Sequence, residues 1–289
     1  MRGIRFSKNG RRLALAAVLT ALMAGHAACA EEAAAPLEVS ADKSLEWYQD
    51  KNLYVARGNA KAVQGAFTIK ADLLTAHKRV AAGKKDAAAK NGGSTGDIDR
   101  MTAEGHVEIL RPGARLIGDQ AVNDLDKRVI VVTGKDLRYE TNRYTVSAQE
   151  SLEYWEDTKT AVARGKAKAV HADRTIRGDV LTAELQTQKD GKDHLNKLTA
   201  AGNVVVVTKS DVIQGDKGVY DAVKDRAIVT GHVRITRPDG TELTGDTGEA
   251  NFTTNRSRLL NEGDGRVHAI LPAKKASKKK PAKAQGEAR

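Results

Sequence analysis

Six aspartates recur at one position of a short phrase, and they are the residues of this chain whose type and spacing could do chemistry. The phrase is an aliphatic residue, a spacer, a small residue and the Asp, as in Ile213-Gln214-Gly215-Asp216. Two carboxylates that converge on one substrate could act as general acid and base, and Gly-Asp repeats can bind calcium. The aspartates are Asp42, Asp72, Asp119, Asp179, Asp216 and Asp246.

The spacing of these aspartates favours neither chemistry. An active site is normally built once, whereas the phrase repeats along most of the chain. Calcium-binding β-rolls consist of nonapeptide repeats, and the usual interval here is 30 residues. We therefore predict that the aspartates mark corners of the fold and accept backbone N–H hydrogen bonds there.

The histidines and sequence motifs also argue against an enzyme. His106 and His232 occupy one slot of the repeat, and Asn203 occupies the same slot in a third copy, so neither histidine is a committed metal ligand. The chain contains no HExxH or P-loop sequence. We expect no catalytic residue, no metal and no cofactor, and we keep an enzyme acting on polysaccharide as a remote alternative.

The phrase has a fixed period. Four of the six intervals between its copies are 30 residues, and the other two are lengthened by polar insertions at 84–96 and 188–193. One such unit cannot bury its own apolar face, so stacked repeats are expected. The copies begin at Val39, Ile69, Leu116, Val146, Ile176, Ile213 and Leu243.

Glycines and a larger duplication follow the same period. Pro112 and Pro238 occupy equivalent positions of the repeat. Both positions are predicted to be tight turns, because Pro pre-sets the φ that such a turn needs. Segment 39–63 resembles segment 146–170. This duplication predicts two tandem halves, about 38–134 and 145–271. A glycine precedes the phrase at a nearly constant distance at Gly58, Gly105, Gly134, Gly165, Gly202 and Gly231.

The runs between these marks are short and β-branched, which favours strands. Regular glycines exclude long helices, and helix is expected only in the Ala-rich segment 86–90. The predicted fold class is all-β: an antiparallel sheet with one aliphatic face and one polar face. Two such faces must close over each other, as a sandwich or as a solenoid-like jelly roll.

Alternation along the strands predicts which side chains point inward. A dry core is the usual role of such residues. An accessible apolar trough is the second interpretation, because many facing positions are Gly or Ala and aromatic residues are only 4% of the chain. The residues expected to line the interior, and to bind lipid if the trough is accessible, are Val107, Ile109, Leu116, Val204, Val206, Ile213, Val233, Ile235 and Leu243.

Both termini are predicted to lie outside the folded domain. Residues 1–30 combine a basic start, a short apolar run and a small-x-small site, which is typical of a secretory signal peptide cleaved after Ala30. Its removal would also remove Cys29, the only cysteine. The low-complexity basic segment 272–289 is predicted to be disordered, and either to aid solubility or to contact anionic lipid.

The net charge of +11 does not indicate a nucleic-acid partner. Five positive charges belong to residues 1–30 and a net six to 274–289, which leaves the segment 31–273 neutral. A nucleic-acid platform would carry its basic face on the fold itself, and the few aromatic residues argue against a base-stacking groove.

The recurring segments GHVEILRPGARLIGDQAVND and GNVVVVTKSDVIQGDKGVYD resemble the OstA/LptA-type periplasmic domain of lipopolysaccharide export. The resemblance covers about 38–270. It implies a twisted, V-shaped antiparallel β-jelly roll whose interior holds lipid A acyl chains without covalent chemistry, in the periplasm. It also implies head-to-tail stacking of subunits between an inner-membrane anchored component and an outer-membrane component of the export bridge.

This chain departs from a single domain of that kind by its length, its internal duplication and its basic tail. It could be a longer bridging component or a paralogue with another amphipathic cargo. A different class remains open beside these: a structural β-repeat protein of the cell envelope with a dry core.

Overall fold

The computed structural model describes residues 36–79, 98–171, 174–189, 193–254, 256–262 and 265–272. The predicted signal peptide, almost all of the basic tail and the Ala-rich segment 86–90 lie outside the described residues. Among the described residues, no helix is long and apolar enough to cross a membrane.

Within these described residues, eighteen antiparallel strands form a single sheet. Ten of them are long and uninterrupted, and each long strand pairs with its neighbours in sequence. The all-β, antiparallel fold class predicted from the repeats is confirmed. The strands are β1 Leu37–Ser40, β2 Ser44–Tyr48, β3 Leu53–Gln64, β4 Phe67–Lys78, β5 Ile98–Arg111, β6 Ala114–Asp124, β7 Val129–Thr133, β8 Leu137–Thr141, β9 Tyr144–Ala148, β10 Ser151–Trp155, β11 Thr160–His171, β12 Arg174–Thr187, β13 Asp193–Val207, β14 Val212–Asp221, β15 Arg226–Thr236, β16 Glu242–Asn251, β17 Arg256–Leu260 and β18 His268–Ile270.

Four positions in the sheet are filled by pairs of short strands instead of one long strand. β1 and β2 both pair with β3, and β17 and β18 both pair with β16. In the middle of the chain, β7 and β8 both pair with β6, and β9 and β10 both pair with β11. The two central pairs also join each other, β7 with β10 and β8 with β9, and we name this contact the internal joint.

A β-bulge bends the long strands at the recurring glycines. In β3, Arg57 lies opposite Leu73 and Ala60 lies opposite Ala71, so that Gly58 and Asn59 together face the single residue between them in β4. Two residues against one leave a local bend and a stronger twist. The same Gly-X pair with positive φ recurs at Gly105-His106, Gly165-Lys166, Gly202-Asn203 and Gly231-His232.

The bend divides each long strand between two walls, and the core lies where the walls meet. One buried cluster contains Ala60 and Val107, which follow the bend in their strands, together with Ala56 and Ala103, which precede it. Burial of these apolar side chains against each other is what holds the walls together. The repeat therefore builds a wedge-shaped interior, whose main buried cluster extends from β3 to β13.

Candidate functional site

Six of the nine side chains predicted to point inward belong to one row that crosses the sheet. Each residue of this row is the Cα partner of the next, from strand to strand, and we name it the apolar row. Cross-strand neighbours of this kind lie about 4.5–5.5 Å apart, so their side chains form a continuous surface. The row runs Val39, Ala62, Ile69, Ile109, Leu116, Tyr139, Val146, Ala169, Ile176, Val206, Ile213, Ile235, Leu243 and Ala269.

The other three predicted residues form a second row, next to the bend. Val107, Val204 and Val233 each lie opposite the glycine of a phrase: Gly118, Gly215 and Gly245 respectively. All three valines are buried. The nine residues therefore lie in two neighbouring rows, which together form one wall of the interior.

The phrase glycines are needed because the opposite wall approaches them. A Cβ on Gly118 would lie 2.5 Å from Cγ1 of Val132, and a Cβ on Gly215 would lie 2.5 Å from Cγ1 of Val229. Real Cβ atoms are not found at such distances from another carbon, so any larger residue would push the walls apart. The small residue in the phrase thus sets how closely the two walls approach each other near the bend.

The second wall supplies interior residues that the sequence reasoning did not name. These residues form a row of their own. In the odd-numbered long strands they precede the bend, and in the even-numbered long strands they follow it. The signal was present, because runs such as Arg226–Thr230 alternate in the same way, but alternation alone does not show which runs face each other. This row includes Leu74, Ala103, Ala121, Val132, Leu152, Ala163, Leu181, Ala200 and Val229.

The interior is closed in the first half of the chain. Val107, Ile109 and Leu116 are buried in the main cluster. A cavity beside Ile109 and Leu116, next to Phe67 and Arg111, measures about 20 Å³, enough for about one water molecule and far too little for an acyl chain. The guanidinium of Arg111 stacks over the Phe67 ring, 5.1 Å from its centroid, and burial lowers the pKa of Arg111.

In the second half the apolar row becomes accessible from Ile176 onward, although Val204 and Val233 of the neighbouring row stay buried. Val206, Ile213, Ile235 and Leu243 continue the apolar row, but each is only half-buried. The main cluster ends at Val204. Half-exposed aliphatic side chains in one unbroken row form an apolar surface that another apolar molecule could cover. The nine predicted residues therefore divide into a closed group and an accessible group, which the sequence did not distinguish.

The recurring aspartates lie at the bends, where each carboxylate meets the Gly-X pair of the next strand. Oδ2 of Asp72 lies 2.8 Å from Nδ1 of His106, and Oδ2 of Asp216 lies 2.8 Å from Nδ1 of His232. Asn203 donates to Asp179 over 2.9 Å. These contacts join residue X of the bulge to the aspartate that faces it, and they are exposed.

The prediction that these aspartates accept backbone N–H bonds therefore holds at some corners and is wrong at others. Asp119 accepts from the N–H of Lys135 over 2.9 Å, and Asp246 accepts from the N–H of Glu262 over 2.8 Å. Where residue X is His or Asn, the side chain of X contacts the aspartate in place of a backbone N–H. The sequence shows both the glycines and the aspartates, but which of them meet depends on strand register.

The pair of Asp72 and His106 gives a testable titration. The hydrogen bond and the charge of Asp72 raise the pKa of His106 above the ordinary 6.5, and the charge of Asp119 adds to this. The folded state thus binds the proton more tightly, so any stabilisation is present below pH 6.5 and is lost as the pH rises through the folded-state pKa. In an NMR titration, Asp72→Asn should return the pKa of His106 toward 6.5.

Asp119→Asn is the matched control for that titration, because Asp119 acts on His106 only through its charge. It should lower the pKa of His106 less than Asp72→Asn does. Equal shifts for the two variants would show that the hydrogen bond to His106 is not the main cause.

No group of three or more His, Cys, Asp and Glu side chains able to hold a metal ion occurs in the described part of the chain. The described part of the chain instead offers an apolar surface between two walls of an antiparallel sheet, with polar residues at the bends. These features define a β-protein built to enclose apolar material, whether its own side chains or a ligand.

The family model for LptA and the LptD N-terminal domain, an LPS transport protein family, matches residues 38–189 and 145–256. Together the two matches cover more than half of the chain, which therefore belongs to this family. Their starting points, 38 and 145, are separated by the same shift that relates segment 39–63 to segment 146–170. The family resemblance predicted from the repeated segments is thus confirmed.

Comparisons with solved structures and with curated proteins are less informative than the family match. A solved structure of LptH, the LptA-homologous periplasmic component of the lipopolysaccharide transport device of Pseudomonas aeruginosa, is 11% identical to this chain. The match covers 83% of this chain and 96% of LptH with a TM-score of 0.19, so it carries no argument about geometry. No curated protein matches the chain.

Proposed function

We propose that this chain is a periplasmic, lipid-binding bridge component that carries lipopolysaccharide from the inner to the outer membrane. Acyl chains of lipid A lie against the apolar row, and no covalent step is involved. The observation that carries this proposal is the row itself, which crosses every strand position from Val39 to Ala269. A continuous apolar surface lets an acyl chain move along the stack without meeting a polar barrier.

In this proposal, lipid first contacts the accessible part of the apolar row, from Ile176 to Leu243. Val206, Ile213, Ile235 and Leu243 are already half-exposed. In the first half, around Ile109 and Leu116, the two walls must separate before an acyl chain can fit, because the cavity there holds only about one water. Lipid movement through the chain is therefore coupled to opening of the wedge.

The partners in this proposal follow from the free edges of the sheet. In the described residues, β1 and β2 at one end pair only with β3, and β17 and β18 at the other end pair only with β16, so their outer edges carry no strand partner. Unpaired edges of this kind recruit further strands. We assign them to head-to-tail self-association and to the inner-membrane anchored and outer-membrane components of the bridge, in keeping with the periplasmic LPS-transport role of LptH.

Photo-crosslinking tests the lipid path directly. A photoreactive amino acid at Ile213, which faces the interior, should form an adduct with lipopolysaccharide, because the acyl chains pass over that position. The matched control is the neighbouring Gln214, whose side chain lies on the opposite, exposed face, and it should give no adduct. Adducts are detected by mobility shift and by antibody to lipopolysaccharide.

Two further positions sharpen this experiment. An adduct at Leu243 as well as Ile213 would support a path along the row, whereas adducts at Gln214 equal to those at Ile213 would contradict it. A probe at Val107 reports whether the closed half opens during transport.

A second candidate function is favoured by the closed first half. If the whole interior stays dry, the chain is a structural β-repeat protein of the cell envelope whose polar surface binds its partners. The 20 Å³ cavity is the observation in its favour. Absence of an adduct at Ile213, Ile235 and Leu243 in cells that export lipopolysaccharide would establish this alternative over the lipid path.

A further inference from the structure

A surface pocket of about 290 Å³ lies on the second wall, and we name it the arginine pocket. It is formed by the start of β15, the end of β16, the turn after β16 and the start of β17. Its volume is near the lower limit of about 300 Å³ for small-molecule sites. Every lining side chain is polar, and these residues are Arg226, Glu249, Asn251, Thr254, Arg256 and Arg258.

The arginine pocket lies on the outer face of the sheet. Gly248 of β16 faces the interior, because a Cβ there would lie 3.4 Å from Cγ1 of the buried Val233. Successive side chains of a strand point to opposite faces, so Glu249 and Asn251 point outward. The sheet therefore separates this pocket from the apolar row and from the lipid path proposed above.

Strand register places one arginine on each side of Asn251. This residue is the Cα partner of Arg226 in β15 and of Arg256 in β17. Neighbouring strands are about 4.8 Å apart, so the two arginine backbones are separated by about 10 Å. Long side chains at that separation can close over an ion that lies above Asn251. The pairing of three strands thus forms a clamp of two arginines around one amide.

Glu249 orients two of the arginine side chains. Its Oε1 accepts from Arg226 over 2.7 Å, and its Oε2 accepts from Arg258 over 2.6 Å. The hydrogen bond from Arg258, together with that from Arg226, holds the pKa of Glu249 below its ordinary value of 4.5, so the carboxylate is ionised at neutral pH. A guanidinium has five N–H donors. Both arginines therefore keep donors for a further acceptor.

The arginine pocket contains more cations than anions. Arg256 makes no ion pair within the described residues, whereas Arg164, on the outer face of the same wall, has the carboxylate of Glu153 for itself. Three arginines and the single carboxylate of Glu249 give the lining a net charge of +2. An excess of this size in one pocket favours an anionic ligand.

The next acid along the sheet is already neutralised. Asp221 of β14 is the Cα partner of Arg226, but it does not line the arginine pocket. Its Oδ1 accepts from the backbone N–H groups of Val223 and Lys224, and its Oδ2 lies 3.1 Å from Nζ of Lys224. Asp221 therefore does not cancel the charge of the three arginines.

Asn251 and Thr254 add uncharged donors. Oδ1 of Asn251 accepts from the backbone N–H of Thr254 over 2.9 Å, and this bond orients the amide. The NH2 group of Asn251 makes no hydrogen bond within the described residues. This group and the hydroxyl of Thr254 are thus available to a ligand that lies between the arginines.

We infer that the arginine pocket binds a phosphate monoester through Arg226, Arg256 and Arg258. The net charge of +2 matches a group that carries about −1.5 to −2 at pH 7 and presents three acceptor oxygens. Guanidinium groups bind phosphate with two parallel hydrogen bonds, and the amide of Asn251 adds a donor beneath the ion. A carboxylate fits less well, because its single charge and two oxygens would leave part of the excess unbalanced.

This inference goes beyond the proposed function, because the arginine pocket lies on the opposite face of the sheet from the apolar row. A phosphate monoester can belong to a small soluble ester or to the headgroup of an anionic lipid. Both sources present the same group to the arginines. Two forms of the probe, one soluble and one in a vesicle, separate them.

Titration of the purified full chain with phenyl phosphate, followed by calorimetry, tests the pocket. Arg256→Gln should weaken binding about tenfold, because it removes charge-assisted hydrogen bonds to the ligand. The matched control is Arg177→Gln, which removes the same charge from an exposed residue of β12 on the other wall. Its effect should stay below about twofold, because charges more than about 10 Å apart are largely screened at 0.1 M salt.

Glu249→Gln should have the opposite effect. It removes the acid that competes with the ligand for Arg226 and Arg258, so phenyl phosphate should bind about tenfold more tightly. A variant that folds poorly cannot imitate a gain in affinity. This measurement therefore keeps the inference falsifiable even if Arg256→Gln lowers stability.

Vesicle flotation distinguishes the two sources of phosphate. Phosphatidylcholine vesicles that contain phosphatidic acid present a phosphate monoester, whereas vesicles with phosphatidylglycerol present only diesters. The basic segment 272–289 is attracted to both lipids, so the readout is the difference between them. A preference for phosphatidic acid that Arg256→Gln removes assigns the pocket to lipid headgroups. Binding of phenyl phosphate without that preference assigns it to soluble esters.

Three outcomes overturn the inference. They are no binding of phenyl phosphate to the unaltered chain, equal weakening by Arg256→Gln and Arg177→Gln, or no gain in affinity for Glu249→Gln. None of these measurements involves the interior of the wedge. Failure of the arginine pocket is therefore distinguishable from failure of the lipid path, which is measured by adduct formation at Ile213.

Discussion

Val204→Asp is expected to unfold the protein or to remove most of its stability. Val204 is buried beside the bend, opposite Gly215, and its Cγ1 lies 3.4 Å from where a Cβ on Gly218 of the other wall would be. A carboxylate there has neither water nor a cation, and burying it costs several kcal/mol. A folded domain has only about 5–15 kcal/mol of stability in total. Urea unfolding followed by circular dichroism measures the loss.

Val205→Asp is the matched control for that variant. Val205 is the next residue of the same strand, faces the other side of the sheet and pairs with Gln214 and Arg177. A carboxylate there stays hydrated beside a cation, so its effect should not exceed the loss of about 1 kcal/mol that β-propensity alone gives for Val to Asp. Equal losses for the two variants would mean that the interior face has been assigned wrongly.

Gly231→Ala is expected to cost about 1–3 kcal/mol, the penalty for a non-glycine residue held in a sparsely populated backbone region. Gly231 has φ +78°, and a Cβ there would lie 2.2 Å from Oδ2 of Asp216, the carboxylate that bonds His232. The substitution thus adds backbone strain and displaces the corner contact. The midpoint of urea unfolding should fall with an unchanged slope, because the same surface is exposed.

Gly248→Ala in the paired strand is the control for this effect. Gly248 is not at a positive-φ position, and a Cβ there would lie 3.4 Å from Cγ1 of Val233, an ordinary contact. Ala also lowers the backbone entropy of the unfolded chain relative to Gly. Gly248→Ala should therefore be close to neutral, and a loss as large as that of Gly231→Ala would exclude the left-handed backbone as the cause.

The recurring aspartates show how much can be predicted from residue spacing alone. Repetition at one position was enough to argue against an acid–base pair and to place Asp72 and Asp216 at corners, since a corner recurs in every repeat. Their partners, His106 and His232, could not be predicted, because a one-residue change in strand register would bring a different side chain to the carboxylate.

Local sequence determined the strands, the bends and the face on which each side chain lies. β-branched alternation, Gly-X pairs and the repeat period are properties of the backbone and of neighbouring residues, so Val107 and Ile213 could be assigned inward without any tertiary information. The duplication also carried the family resemblance, which the family model confirms. The boundaries of the two halves stay a prediction.

The tertiary structure decided what local sequence leaves open: how closely the walls approach and where the sheet stops. Ile109 and Ile213 occupy the same row and look alike in sequence, yet the first is buried and the second half-exposed. Leu152 and Leu45 are equivalent by repeat, yet only the first is covered. Burial depends on the residues that the fold brings to the other side of a side chain, and those lie far away along the chain.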